Sequence, residues 1–118
     1  APGVFRSADI YVMTKPNDPC PNTVLEALAC GLPVIYSATG GVPELVGDEA
    51  GWPLDCEENF DTMVWPEVSD LTAAMRVAAQ SWEVQAHAAR KRAVERYDLT
   101  LWIDRHRTVF TQLLEQRA

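Results

Sequence analysis

The chain has 118 residues, enough for one layered domain with a modest core, and its 47% hydrophobic and 23% charged residues are usual for a globular protein. Its net charge of −7 argues against a broad cationic surface for nucleic acid, and no apolar run approaches the ~18 residues of a membrane span. Three cysteines without metal-ligand spacing favour a reducing compartment. We therefore expect a cytoplasmic protein that binds no nucleic acid and has no membrane span.

The first half of the chain alternates predicted strands and helices. In chain order these are a helix end at 4–8, the strand Ile10–Met13, the helix Thr23–Cys30, the strand Pro33–Ser37, a short helix Pro43–Val46 and a short strand Gly51–Leu54. Both longer strands are continuous apolar runs, which predicts buried strands of a parallel sheet. Asn22 or Thr23 occupies the position of a helix N-cap, and Pro53 predicts an edge position for the last strand. Gly40 and Gly41 predict a turn with positive φ, and a close approach of the backbone to a ligand is the alternative reason for glycine there.

The last third of the chain is predicted to be helical. The helices are Ser69–Gln80 with Ser69 as the cap, Glu83–Tyr97 and Leu101–Gln116. Trp102, Val109 and Phe110 recur at helical spacing in the last helix, which is typical of a core-facing stripe. The acidic segment 55–70 before these helices is predicted to be a solvated loop.

Two carboxylates flank the start of the first full helix. Asp18 lies in the proline-rich segment 15–21, and Glu26 follows eight residues later within the helix. The free N–H groups and positive dipole of a helix start can hold a phosphate. An ionised carboxylate accepts two hydrogen bonds and can recognise the neighbouring hydroxyls of a ribose or hexose. Two acidic residues eight apart are common by chance, and a helical glutamate is usually a surface residue or a cap partner, so this pattern alone indicates only a helix start that could hold an anion.

The ordered run NDPCPNTVLEALACG, LPVIYS and GGVPELV resembles the donor-nucleotide domain of GT-B glycosyltransferases, most closely the retaining family 4 type. The resemblance implies an α/β fold, the distal half of a Rossmann-like donor domain with a short parallel sheet, flanking helices and a helical C-terminal third. It implies a nucleotide-sugar substrate, no cofactor and no metal, and a carbohydrate or small-molecule acceptor. The family has a Glu, seven residues and a second Glu, and Asp18 and Glu26 match these positions as the catalytic candidates.

In this family the first acidic residue contacts the donor sugar and the second contacts the ribose, which implies these roles for Asp18 and Glu26. Asp18 is one methylene shorter than the family's Glu, and prolines at 19 and 21 have no N–H to donate. The backbone amides that remain to bind the nucleotide are those of Cys20, Asn22, Thr23 and Val24.

This chain resembles only a part of such an enzyme. The resemblance implies that residues 1–118 are a partial C-terminal sugar-nucleotide-binding domain, with the N-terminal acceptor domain and the first half of the donor domain absent. We expect this chain alone to transfer no sugar, and we expect self-association because mid-sheet strands would be open at an edge. Two alternatives remain open: a non-catalytic nucleotide-binding or assembly module of the same fold, and a GT-B-type sugar-nucleotide epimerase.

Overall fold

The computed structural model describes residues 2–117, which form a layered α/β fold. Its elements are α1 (Pro2–Arg6), β1 (Tyr11–Met13), α2 (Asn22–Ala29), β2 (Val34–Ser37), α3 (Val42–Val46), β3 (Gly51–Leu54), α4 (Val68–Gln80), α5 (Glu83–Arg96) and α6 (Leu99–Glu115). The three strands are parallel and lie in the order β1-β2-β3. The predicted fold class is confirmed, and most predicted boundaries lie within two residues of the observed ones.

The central strand β2 is buried on both faces, as its continuous apolar run predicts. Val34 and Tyr36 pack with residues of α2, α3 and α5 on one side of the sheet. Ile35 points to the other side, where it packs with Leu54 of β3 and Ala78 of α4. Alternate residues of a strand point to opposite faces, so helices on both faces require apolar residues at every position.

The outer strands are less covered. β3 pairs only with β2 among the described residues, as Pro53 predicts for an edge strand. β1 is the other edge, and its central residue Val12 is 40% exposed, so the prediction of a buried first strand is wrong. The apolar run has the composition of a central strand, but no strand or helix of residues 2–117 covers this position.

Two predicted helix caps are wrong. The N-cap of α2 is Pro21, with φ −73°, and no side chain caps this helix. The carbonyl oxygen of Pro21 accepts a hydrogen bond from the N–H of Val24 at 3.1 Å, which closes a tight first turn and moves the start one residue earlier than Thr23. Ser69 lies inside α4, whose N-cap is Glu67.

Arginines of α5 hold the C-terminal ends of two neighbouring helices. The guanidinium of Arg92 donates to the carbonyl oxygens of Leu45 at 2.7 Å and Glu44 at 2.6 Å, at the end of α3. Arg90 donates to the carbonyl oxygen of Ala29 at 2.6 Å, at the end of α2. These charged donors satisfy carbonyls that the helices leave unpaired and complement their negative ends. They fix α2 and α3 against α5.

The last helix does not pack as predicted. All side chains of α6 are exposed, including Trp102 at 56% and Phe110 at 60%, so the predicted core stripe is wrong within this chain. The fold measures 59 × 36 × 24 Å, and no other element of residues 2–117 buries α6. The helical spacing correctly predicts a helix with one apolar face, but spacing does not say what covers that face. Within residues 2–117, no helix has the length and apolar character needed to cross a membrane.

Candidate functional site

Three loops meet at one edge of the sheet. The strands are parallel, so the segments that follow β1, β2 and β3 all leave from the same carboxyl edge. These segments are residues 14–21, 38–41 and 55–61. Ligands of open α/β sheets bind in the crevice outside this edge, and α2 begins there.

The start of α2 leaves two backbone donors free. The N–H groups of Asn22 and Thr23 have no acceptor among residues 2–117, and both residues are exposed. The other two predicted amides are already bonded. The N–H of Cys20 donates to Oδ1 of Asp18 at 3.3 Å, and that of Val24 donates to the carbonyl oxygen of Pro21. An anion at this helix start would therefore meet Asn22 and Thr23.

Glu26 shares the exposed face of α2 with Asn22. The two residues are four apart, which places Glu26 one helical turn, about 6 Å, along the axis from the helix start. The opposite face, with Val24, Ala27 and Leu28, is fully buried. Glu26 is exposed, and its carboxylate has no hydrogen bond or ion pair within the described part of the chain. It is an unengaged carboxylate one turn from two unengaged amides.

Asp18 is more constrained than Glu26. Its Oδ2 lies 3.1 Å from Nζ of Lys15, and its Oδ1 accepts from the N–H of Cys20. The Asp18 side chain is 16% exposed and that of Lys15 is 53% exposed. The ion pair and the turn hold the carboxylate in one orientation at the carboxyl edge, while each oxygen keeps a further lone pair for a ligand hydroxyl.

Glycine is required at positions 40 and 41, after β2, for two different physical reasons. Gly40 has φ +67°, as predicted for a turn glycine. Gly41 has φ −91°, so the prediction of a positive φ is wrong there. Gly41 lies against the proline-rich segment, where an added Cβ would overlap the carbonyl oxygen of Pro19. Close contact between two loops, and not a special backbone angle, requires glycine at position 41.

Part of the acidic segment belongs to this edge. Oε1 of Glu58 accepts from the N–H of Gly40 at 3.2 Å, and the carbonyl oxygen of Asn59 accepts from Nδ2 of Asn17 at 2.7 Å. Glu58 is exposed, as predicted for a solvated loop, and the segment also contacts the loops after β1 and β2 through these two hydrogen bonds. Asn17 and Asn59 are 42 positions apart, and no local pattern signals such a contact. The described residues contain no group of three His, Cys, Asp or Glu side chains that could hold a metal ion.

Comparison with known proteins decides the family. Residues 1–80 match the profile of the family described as Glycosyl transferases group 1. The chain belongs to this family. Among curated relatives, the D-inositol 3-phosphate glycosyltransferase of Corynebacterium jeikeium is 34% identical over 103 residues, which cover 75% of this chain and 24% of the relative. This group 1 chain thus spans about a quarter of that relative's length.

Solved structures of GT-B glycosyltransferases share the fold. Sucrose-phosphate synthase from Thermosynechococcus elongatus superposes with a TM-score of 0.76 at 21% identity, over 96% of this chain and 27% of the synthase. HepE from Anabaena in complex with UDP gives 0.74 at 20% identity, over 92% of this chain and 29% of HepE. HepE has also been solved with UDP-glucose. These neighbours confirm the predicted GT-B type of α/β fold for this group 1 chain.

Proposed function

We propose that this chain supplies part of the donor site of a retaining glycosyltransferase, which transfers a sugar from a nucleotide-diphosphate sugar to an acceptor. One observation carries the proposal. The helix α2 begins at the carboxyl edge of the parallel sheet with two unbonded N–H groups, and an unengaged carboxylate lies one turn further on the same exposed face. The UDP and UDP-glucose complexes of HepE support a sugar nucleotide as the ligand class.

Each site residue has a proposed role. The N–H groups of Asn22 and Thr23 and the positive end of α2 receive the diphosphate as negative charge develops on the leaving group. The carboxylate of Glu26 accepts hydrogen bonds from the two ribose hydroxyls. Asp18 contacts the donor sugar. Cys20 lies beside the site and Val24 is buried on the opposite face of α2, and neither donates to phosphate because both amides are bonded within the chain.

The proposal also covers the metal requirement, the acceptor and the compartment. We propose that helix amides meet the charge of the diphosphate in place of a resident metal, and that the acceptor binds elsewhere in the full-length protein that carries this chain. Three cysteines, all free in the structure, fit a reducing cytoplasm. Transfer of a sugar from a nucleotide donor would give this protein a role in carbohydrate biosynthesis. The 118 residues alone are expected to transfer no sugar.

The test is a transfer assay on the full-length protein. It is incubated with UDP-, GDP- and ADP-glucose and a panel of sugar and inositol phosphate acceptors, with and without EDTA. We expect one donor to give a glycoside whose anomeric configuration, read by proton NMR, matches that of the donor, with EDTA having no effect. A product of inverted configuration would refute retention. Activity abolished by EDTA and restored by Mg²⁺ would refute the metal-independent site.

A nucleotide-binding module without transfer activity is the second candidate. The observation that favours it is the engagement of both Asp18 oxygens, by Lys15 and by the N–H of Cys20. This candidate predicts that the full-length protein binds a nucleoside diphosphate with no product from any donor and acceptor pair. An epimerase would instead convert the donor sugar when no acceptor is added. Donor-only incubations therefore identify an epimerase, and incubations with acceptors separate the transferase from the binding module.

A further inference from the structure

The loops after β1 and β2 stay paired beyond the ends of their strands. The last strand pair is Met13 with Tyr36. Past it, Oγ of Ser37 donates to the carbonyl oxygen of Thr14 at 2.6 Å, and Oγ1 of Thr39 accepts from the N–H of Asn17 at 2.9 Å. The N–H of Gly41 then donates to the carbonyl oxygen of Asp18, also at 2.9 Å. These three hydrogen bonds join residues 14–18 to residues 37–41.

Asn17 is the conformational pivot of the proline-rich segment. Prolines at 16, 19 and 21 have fixed φ angles, and a residue that precedes a proline is restricted to extended conformations. Lys15, Asp18 and Cys20 each precede a proline. Asn17 is therefore the one position of residues 15–21 that neither is a proline nor precedes one. Rotation at Asn17 would displace Asp18 and the turn that leads into the first residues of α2, while the buried face of α2 stays packed.

The structure locks this pivot in three ways. Asn17 has φ +58°, a left-handed conformation that asparagine tolerates better than most residues. Its N–H is held by the hydroxyl of Thr39, which is 2% exposed. Its side-chain amide donates to the carbonyl oxygen of Asn59, in the loop after β3. Oδ1 of Asn17 is buried and has no partner among residues 2–117. Glycine would fit this φ without burying an unpaired oxygen, so the asparagine side chain contributes the link to the third loop.

We propose that Asn17 and Thr39 are positioning residues of the donor site. The inference rests on the proposed function. They fix the only free backbone position of residues 15–21, and so they set where Asp18 and the N–H groups of Asn22 and Thr23 stand relative to a bound sugar nucleotide. Displacing reacting groups by about 1 Å reduces catalysis by as much as ~100-fold, so a small rotation at this pivot has a large effect.

The experiment uses matched variants of the full-length protein. Thr39→Val removes the hydroxyl at nearly constant volume, and Thr39→Ser keeps it. Asn17→Gly keeps the left-handed backbone angle accessible but removes the link to Asn59 and frees the pivot. The probe is whichever of UDP, GDP and ADP the wild-type protein binds most tightly, titrated calorimetrically at a temperature well below the melting temperature of every variant.

We expect Thr39→Val and Asn17→Gly to weaken binding of the nucleoside diphosphate about 10-fold, and Thr39→Ser to bind within about 2-fold of the wild type. A purely structural role predicts lower melting temperatures with unchanged binding, and that result would overturn the inference. If Thr39→Val does not fold, Asn17→Gly decides, because its backbone angle suits glycine. A Glu26→Gln variant with wild-type affinity contradicts the donor site itself. Lost affinity in Glu26→Gln but not in the other two variants refutes only the positioning role.

Discussion

Replacing Gly41 with alanine tests the contact that joins the loops after β1 and β2. Gly41 has φ −91° and ψ −7°, which alanine adopts without strain. By itself the change would stabilise the chain by about 0.4–1 kcal/mol, because it restricts the unfolded state. The structure predicts the opposite sign. The added Cβ would overlap the carbonyl oxygen of Pro19 and lie 2.8 Å from its carbonyl carbon.

The expected magnitude follows from what must move. Overpacking of a well-packed site costs about 1–3 kcal/mol. Separating the loops also loses the hydrogen bond from the N–H of Gly41 to Asp18, which contributes about 0.5–1.5 kcal/mol. After the gain from the unfolded state is subtracted, Gly41→Ala should lower the free energy of unfolding by about 2 kcal/mol.

Two other glycines provide matched controls. Gly3 lies in α1 with no atom within 4 Å of an added Cβ, so Gly3→Ala should be neutral or stabilise by up to about 1 kcal/mol. Gly31 has φ +76° and its nearest neighbour is 3.8 Å away, so Gly31→Ala pays only the backbone cost of about 1–2 kcal/mol. Urea unfolding of the 118-residue chain at low concentration, followed by circular dichroism, measures all three. If Gly41→Ala unfolds at the same urea concentration as Gly3→Ala, the loop contact is refuted.

Three further predictions concern the rest of the fold. Arg92→Met should lower the free energy of unfolding by about 2 kcal/mol, because its charged hydrogen bonds to the end of α3 are lost. The control Arg105→Met, at an exposed arginine, should change it by less than about 0.5 kcal/mol. Equal effects of the two variants in urea unfolding would contradict the capping role. Burial and then the charge of Asp48 raise the pKa of Tyr36 above its usual 10.0, an effect that Arg92 partly offsets. The raised pKa adds stability below pH ~10 that is lost as the pH rises further. Above pH ~10, Tyr36→Phe should therefore lose less stability than the wild type. Parallel curves of unfolding free energy against pH for the two proteins would refute this. The 118-residue chain should self-associate through the apolar face of α6, and sedimentation of wild type and Trp102→Ser/Phe110→Ser should show this; a wild-type monomer at high concentration would contradict it.

Local patterns predicted the parts of the fold that local physics determines. β2 was predictable because Val34 and Ile35 belong to a continuous apolar run. α2 ends at Ala29, and Gly31, two residues later, has the φ of +76° that is typical of a glycine just past a helix end. The N-cap of α2 was not predictable, because it is the buried Pro21 and no side chain caps the helix. The surroundings of α6 were not predictable either, because an amphipathic pattern indicates an apolar face but not its partner.

Only part of the candidate site could likewise be predicted from the sequence. Asn22, Thr23 and Glu26 could be placed from sequence, because their positions follow from the start and the period of one helix. The contacts that hold the proline-rich segment could not. The hydrogen bond of Asn17 to Thr39 joins residues 22 positions apart, and its bond to Asn59 spans 42. Asparagine beside a proline is a weak turn signal, and it becomes informative only when the fold brings the three loops together.

The central claim is that α2 receives the diphosphate at its start and the ribose at Glu26. The most direct measurement is a crystal structure of the full-length protein with the nucleoside diphosphate that it binds most tightly. We expect phosphate oxygens within about 2.7–3.2 Å of the N–H nitrogens of Asn22 and Thr23, and ribose hydroxyls at a similar distance from the Glu26 carboxylate. A bound nucleotide whose ribose lies elsewhere, with Glu26 still free in solvent, would contradict it.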